Sequence, residues 1–327
     1  MTTKVKWGIL STAAIGTEHV IPAMINSAYC DVQAIASRNK YSAEKVAERF
    51  SIPKAYGSYE ALLEDDEIEA VYIPLPNHLH VPWSIKALEA GKHVLVEKPI
   101  GLSSEEAIKL LNESLKYPKL KVMEAFMYRH HPQWIKVKEL VDNKKIGEIK
   151  TIQSSFSFFE DDPESIVNKK EYGGGSLMDI GCYPISISRF LFNEEPKKVY
   201  SKIEYHPEFK TDTLATVIME FENGTSSFFS STLIPDNQQV EIFGSEGRIE
   251  IEVPFNPAPD NPAKIWLYQN GRKEEMVFNS CDQYTMQGDL FSLAILKDKP
   301  VPTPLQDAVD NMKVIERILN SDKQAEG

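Results

Sequence analysis

The chain has 327 residues, 42% of them hydrophobic and 26% charged, the balance of a soluble globular enzyme with one large or two ordinary domains. Asp and Glu number 48 against 36 Lys and Arg, so the net charge is −12, which excludes a nucleic-acid binder working through bulk attraction. There is no apolar run long enough for a membrane span and no apolar core of a secretory signal, and Cys30, Cys182 and Cys281 support neither a disulfide framework nor a zinc knuckle, so a cytoplasmic protein is expected.

Short apolar runs at 5–10, 32–36, 70–73, 94–96 and 122–126 predict strands. Amphipathic stretches at 17–26, 43–50, 59–63, 82–90 and 104–116 predict helices between them, the last opened by a capping box of Ser103 and Glu106. Alternation of this kind predicts a parallel, doubly wound sheet. A helix at 132–143 follows, and then the pattern changes. Strands are expected at 149–159, 198–205, 215–221, 225–233, 239–243, 247–253 and 265–268, several joined only by turns such as Glu222-Asn223-Gly224. That is the signature of an antiparallel sheet. Helices at 287–296 and 305–319 and a polar tail complete the chain. The expected organisation is a dinucleotide-binding α/β domain over 1–125 and an α/β domain with an open, mainly antiparallel sheet over 126–327.

The first strand runs into Ser11-Thr12-Ala13-Ala14-Ile15-Gly16. A dinucleotide fold needs small residues at this strand-to-helix turn, so that the pyrophosphate can approach the helix N-terminus. Here Ser11-x-Ala13-x-x-Gly16 stands for G-x-G-x-x-G, and an ordinary tight turn is the plainer alternative. The second predicted strand ends in Ser37-Arg38-Asn39, where an NAD enzyme carries Asp or Glu. A carboxylate would repel a 2′-phosphate, whereas a hydroxyl and a guanidinium would hold one, so NADP is expected over NAD.

Glu97-Lys98-Pro99 ends the strand at 94–96, where open α/β sheets bind ligands. A lysine there can stabilise negative charge developing on a substrate oxygen, Glu97 could fix that lysine or a cofactor ribose, and the X-Pro bond allows a cis turn. Downstream lies Tyr172-Gly173-Gly174-Gly175, then Asp179, Cys182, Tyr183 and Pro184. The glycines permit close backbone approach to a ligand, and Asp179 and Tyr183, four apart, would share a helix face. A tyrosine hydroxyl beside a lysine ammonium is a plausible acid/base for a carbinol that gives up hydride to a nicotinamide. A buried, satisfied tyrosine and a capping aspartate are the plainer reading. The pairs His78-x-His80 and His130-His131 lack a third ligand at fitting spacing, so no metal is expected.

These segments, with Pro74-Leu75-Pro76-Asn77-x-x-His80 and Glu124-Ala-Phe-Met127-Tyr128-Arg129-x-His131-Pro132-Gln133, resemble the glucose–fructose oxidoreductase / inositol dehydrogenase / rhizopine catabolism family. The resemblance spans nearly the whole chain in the family's order. It implies a Rossmann domain followed by an open antiparallel sheet whose outer face makes a homodimer or larger homo-oligomer, with substrate between the domains. It assigns catalysis to Lys98, Asp179 and Tyr183. With the turn and the Ser37-Arg38 pair read above, the expected cofactor residues are Ser11, Thr12, Ala13, Ile15, Gly16, Ser37, Arg38, Pro74, Asn77, His80, Glu97, Lys98 and Arg129, and the candidate substrate residues are Tyr128, Tyr172 and Tyr284 besides the catalytic three. Many members carry His where this chain has Tyr183, which points instead to the dimeric dihydrodiol dehydrogenase and NADP-linked D-xylose dehydrogenase branch. The expected activity is therefore NADP-dependent oxidoreduction of a sugar or cyclic vicinal diol. A cofactor-retaining glycosidase and a non-catalytic nucleotide-sensing regulator are the alternatives on the same scaffold.

Overall fold

Apolar runs buried on both faces build the first sheet in the computed structural model, which describes residues 3–325; the end of the expected polar tail lies outside the described residues. The strands are β1 (Val5–Leu10), β2 (Cys30–Ala36), β3 (Lys54–Tyr56), β4 (Ala70–Ile73), β5 (His93–Val96) and β6 (Val122–Glu124). All pair in parallel, in the order β3-β2-β1-β4-β5-β6. The chain winds outward one way through β3 and then the other way from β4, so the switch point falls between β1 and β4. The crossovers are α1 (Ile21–Ile25), entered through a π-type turn at Ile15–Val20, then α2 (Lys40–Phe50), α3 (Tyr59–Leu63), α4 (Asn77–Glu89) and α5 (Ser104–Ser114). Side-chain caps from Asn39, Ser58 and Ser103 take up the first N–H groups of α2, α3 and α5. Pro82 lies inside α4 and does not open it, because the helix already starts at Asn77.

The second sheet follows α6 (Pro132–Asp142) and includes the strands on both sides of α7 (Cys182–Phe192). It comprises β7 (Ile149–Phe159), β8 (Lys198–Tyr205), β9 (Asp212–Glu220), β10 (Thr225–Ser231), β11 (Leu233–Gly244), β12 (Gly247–Ile251), β13 (Ala263–Gln269) and β14 (Arg272–Phe278), in the order β14-β13-β12-β11-β7-β10-β9-β8. Every neighbouring pair is antiparallel except β7 with β10. Burial alternates along β9 and β10, as a sheet covered on one face requires. The edge strands are the most exposed, and β14 carries Arg272, Lys273, Glu274 and Glu275, charges that blunt a free edge.

α8 (Gln283–Leu296) departs from the two-segment reading. Residues Met1–Met127 and Asp282–Val309 form one compact unit, and Tyr128–Cys281 with Asp310–Gly327 form the other. α8 joins the first because its side chains are committed there. The fully buried Trp7 donates its indole N–H to Ser292 Oγ at 3.1 Å and lies 5.6 Å from the Phe291 ring. Thr285 donates to the Ala23 carbonyl at 3.0 Å, and Ser27 donates to the Asp289 carboxylate. α9 (Leu305–Ala325) starts in the first unit and continues in the second.

Candidate active site

In the first unit the candidate residues collect at the carboxyl ends of β1, β2, β4 and β5. Ser11 has φ +153°, a conformation that glycine takes freely and other residues rarely. It therefore occupies a glycine position, and its hydroxyl accepts the Ala13 N–H at 3.0 Å. The Ile15–Val20 turn then begins, with Thr17 N–H donating to the Ala13 carbonyl at 3.0 Å. Gly16 approaches Pro74, where an added Cβ would lie 3.5 Å from Cγ in ordinary contact. After β2, Asn39 is used as the α2 cap and Ser37 Oγ accepts the Asn39 N–H at 3.3 Å. Arg38 is exposed, and no carboxylate partner is seen for it among the described residues.

At β5 the Glu97 carboxylate is held from both sides. Tyr72 donates its hydroxyl to Oε1 at 2.5 Å, and the Lys98 N–H donates to Oε2 at 3.3 Å. Tyr72 was not anticipated; a tyrosine inside a wholly buried four-residue strand is the signal that its hydroxyl has a task. The Lys98–Pro99 bond is cis. His80 is fully buried, and its ring lies between the Pro99 carbonyl (Nδ1, 2.7 Å) and the Leu75 carbonyl (Nε2, 2.6 Å). Burial pulls its pKa down to about 4, although both backbone contacts act the other way. His80 thus ties the loop after β4 to the loop bearing Lys98. Tyr284, expected in the second domain, stands in the first unit with its ring stacked on His19 at 5.6 Å. Burial and then the Glu97 charge push its phenol upward, so it remains a protonated donor.

In the second unit the Gly173–Gly175 turn leads into a π-type turn at Leu177–Gly181, which continues into α7 with Pro184 in its first turn. Asp179 and Tyr183 therefore sit on one continuous helical stretch. Tyr183 is only 4% exposed and packs against Phe156 (5.5 Å), Phe255 (5.3 Å) and Tyr128 (5.7 Å). Tyr128 donates its hydroxyl to Ser186 Oγ at 2.8 Å, and Arg129 Nη2 donates to the same oxygen at 2.8 Å. Arg129 Nε also reaches the Tyr128 hydroxyl at 3.3 Å, so the pair is anchored on α7.

Two residues of the glycine run are pressed close against other parts of the chain. A Cβ on Gly174 would lie 2.3 Å from the Val167 carbonyl oxygen, and one on Gly175 would lie 2.0 Å from Asp212 Oδ1. The close approach is to the protein itself. Tyr172 ends a short 3₁₀ turn just before it, half-buried. His131 caps α6 through the Gln133 N–H, and burial lowers both His130 and His131 to about 4. Among the described residues no group of three His, Cys, Asp or Glu could hold a metal ion.

A parallel sheet whose strand order reverses between β1 and β4 is the arrangement of dinucleotide-binding domains, which bind ligands at the carboxyl ends of their strands. A family model described as "Oxidoreductase family, NAD-binding Rossmann fold" matches residues 5–126, and one for the "GFO/IDH/MocA C-terminal domain" matches residues 134–250. The chain is 43% identical over 324 residues to an uncharacterized oxidoreductase of Rhizobium meliloti, covering 97% of this chain and 96% of the relative. It is 36% identical to a D-xylose 1-dehydrogenase (NADP(+)) of Haloferax volcanii, covering 96% of each. A shorter match, 33% identical over 250 residues and 75% of this chain, is to a trans-1,2-dihydrobenzene-1,2-diol dehydrogenase of Xenopus laevis, of which it covers 74%. Among solved structures, a 3-ketoreductase of Actinomadura kijaniata in complex with NADP and TDP-benzene superimposes with a TM-score of 0.91, at 28% identity and 98% coverage of both chains. The chain belongs to the Gfo/Idh/MocA family of oxidoreductases.

Proposed function

We propose that this enzyme uses NADP and acts on a secondary alcohol or hemiacetal carbon of a sugar or vicinal diol. The observation that carries the reading is the position of Lys98, at the carboxyl end of β5 beside a Glu97 carboxylate already held by Tyr72. The residues at the switch point fit a dinucleotide: a positive-φ turn at Ser11, a helix start at Ile15, and the unpartnered cation of Arg38 where an NAD site would place an acid. Ser11, Thr12, Ala13 and Ile15 would hold the pyrophosphate, with Gly16 and Pro74 shaping the floor. Ser37 and Arg38 would hold the 2′-phosphate, and Asn77 and Glu97 would border the ribose. When bound, NADP supplies or accepts the hydride. Tyr183 takes or gives a proton at its phenol oxygen, and Lys98 stabilises negative charge developing on a substrate oxygen. Asp179 orients the substrate, with Tyr172, Tyr128 and Tyr284 as further lining residues.

The NADP-linked xylose dehydrogenase and the diol dehydrogenase among the relatives support the substrate class. The test is a panel of aldoses and polyols with NADP⁺ and NAD⁺ in parallel, read by the absorbance of the reduced nicotinamide. Turnover with an aldose or diol and NADP⁺ is the expected outcome; sugar release from a glycoside without net reduction would overturn it. We also propose that the second sheet assembles against another copy of the chain. The paired and half-exposed Tyr200 and Ile218 support this, and light scattering on the purified protein tests it.

A further inference from the structure

A helix start leaves backbone N–H groups without intrahelical acceptors. The stretch bearing Asp179 and Tyr183 meets this need with a side chain from another element. Asp212, the first residue of β9, accepts the Leu177 N–H at 2.7 Å and the Ser176 hydroxyl at 2.8 Å, both through Oδ2. Its other oxygen packs so closely on Gly175, at φ +116°, that no side chain fits there. Ser176 Oγ also lies 3.2 Å from the carbonyl and from the hydroxyl of Ser230 on β10, and Gly181 presses on that hydroxyl. The Asp179 N–H donates to the Gly175 carbonyl at 3.0 Å. Two strands therefore set the height and rotation of the turn from which Asp179 and Tyr183 project. Asp212 is 5% exposed, so its carboxyl group serves this turn and little else.

We infer that Asp212 is a positioning residue for the acid/base helix, fixing the Tyr183 phenol for proton transfer through the Leu177 N–H, Ser176 and Gly175. The inference rests on the proposed role of Tyr183. It is tested in the full chain with Asp212→Asn and Asp212→Glu, alone and combined with Tyr183→Phe, using D-xylose and NADP⁺ as probes. The expected result for Asp212→Asn is a kcat lowered by about tenfold or more with KM nearly unchanged, without rescue by Asp212→Glu, whose longer side chain has no room beside Gly175. In the Tyr183→Phe background the same change adds less than about twofold, because it acts through the phenol. A loss that multiplies in full on top of Tyr183→Phe, or one confined to KM, overturns the inference.

Hydrogen exchange gives a second readout that needs no substrate. Asp212→Asn is expected to speed exchange across residues 176–183 while β9 and β10 stay protected; unchanged exchange at Leu177 overturns the inference. If Tyr183→Phe alone keeps full turnover, the acid/base reading fails, while faster exchange in Asp212→Asn still establishes the anchor.

Discussion

Two turns in this protein share a plan and differ in what fills them. Each puts small residues ahead of a π-type turn that opens a helix, at Ser11–Gly16 in the first unit and at Gly173–Leu177 in the second. In the first, Gly16 has room for an added methyl group. In the second, the glycines press against the Val167 carbonyl and the Asp212 carboxyl group, and the helix's first donor is already taken by a carboxyl oxygen the protein supplies. One turn suits a ligand phosphate; the other is closed by the chain's own carboxyl group. Glycine-rich spacing alone does not separate these uses, because both need a backbone approached closely from outside.

The largest effect that would sharpen this contrast is chemical. Lys98→Met is expected to cut turnover by about 10³-fold while NADP⁺ binding, measured by calorimetry, persists. Next come the turns themselves. Gly175→Ala meets both a positive φ and the Asp212 carboxyl group, and should cost about 3 kcal/mol or more in denaturant unfolding. Gly16→Ala, in a helical turn with room for the methyl group, should leave stability unchanged or raise it by up to about 1 kcal/mol; a loss equal to that at Gly175 would break the comparison. Arg38→Ala should lower the NADP-over-NAD preference by about 10- to 100-fold, the worth of a charge-assisted hydrogen bond, as read from kcat/KM with each cofactor.

The smallest effect concerns pH. His80, His93, His130 and His131 have pKa values lowered to about 4 by burial, below the 6.5 of a free imidazole. The unfolded chain therefore binds more protons between pH 6.5 and 4, and stability present above 6.5 is lost as pH falls through that window. Each histidine contributes up to about 1.4 kcal/mol per pH unit, and urea midpoints from pH 7 to 4.5 measure the sum. A flat profile would contradict the neutral, buried state of these rings.

Much of the fold was legible because its signal is local. Apolar runs bounded by capped helices announced the parallel sheet, and turns such as Glu222-Asn223-Gly224 announced the antiparallel one. The misses are long-range. α8 returns to the first unit through Trp7 with Ser292 and Ser27 with Asp289, pairs more than 250 residues apart that no window sees. β3 and β14 were overlooked because one has three residues and the other is charged along an exposed edge. Of the proposed site, Lys98, Asp179 and Tyr183 stand out by motif. The groups that hold their neighbourhoods, Tyr72 on Glu97 and Asp212 on Leu177, are defined by contacts between separate elements and leave little trace in the order of residues.

The most direct test of the central claim follows reduced nicotinamide when D-xylose and NADP⁺ are added to the wild-type protein and to Lys98→Met and Tyr183→Phe. NADPH formation by the wild type and its loss in both variants, with cofactor binding intact, is the predicted result. Undiminished turnover in either variant would contradict the catalytic roles proposed for Lys98 and Tyr183.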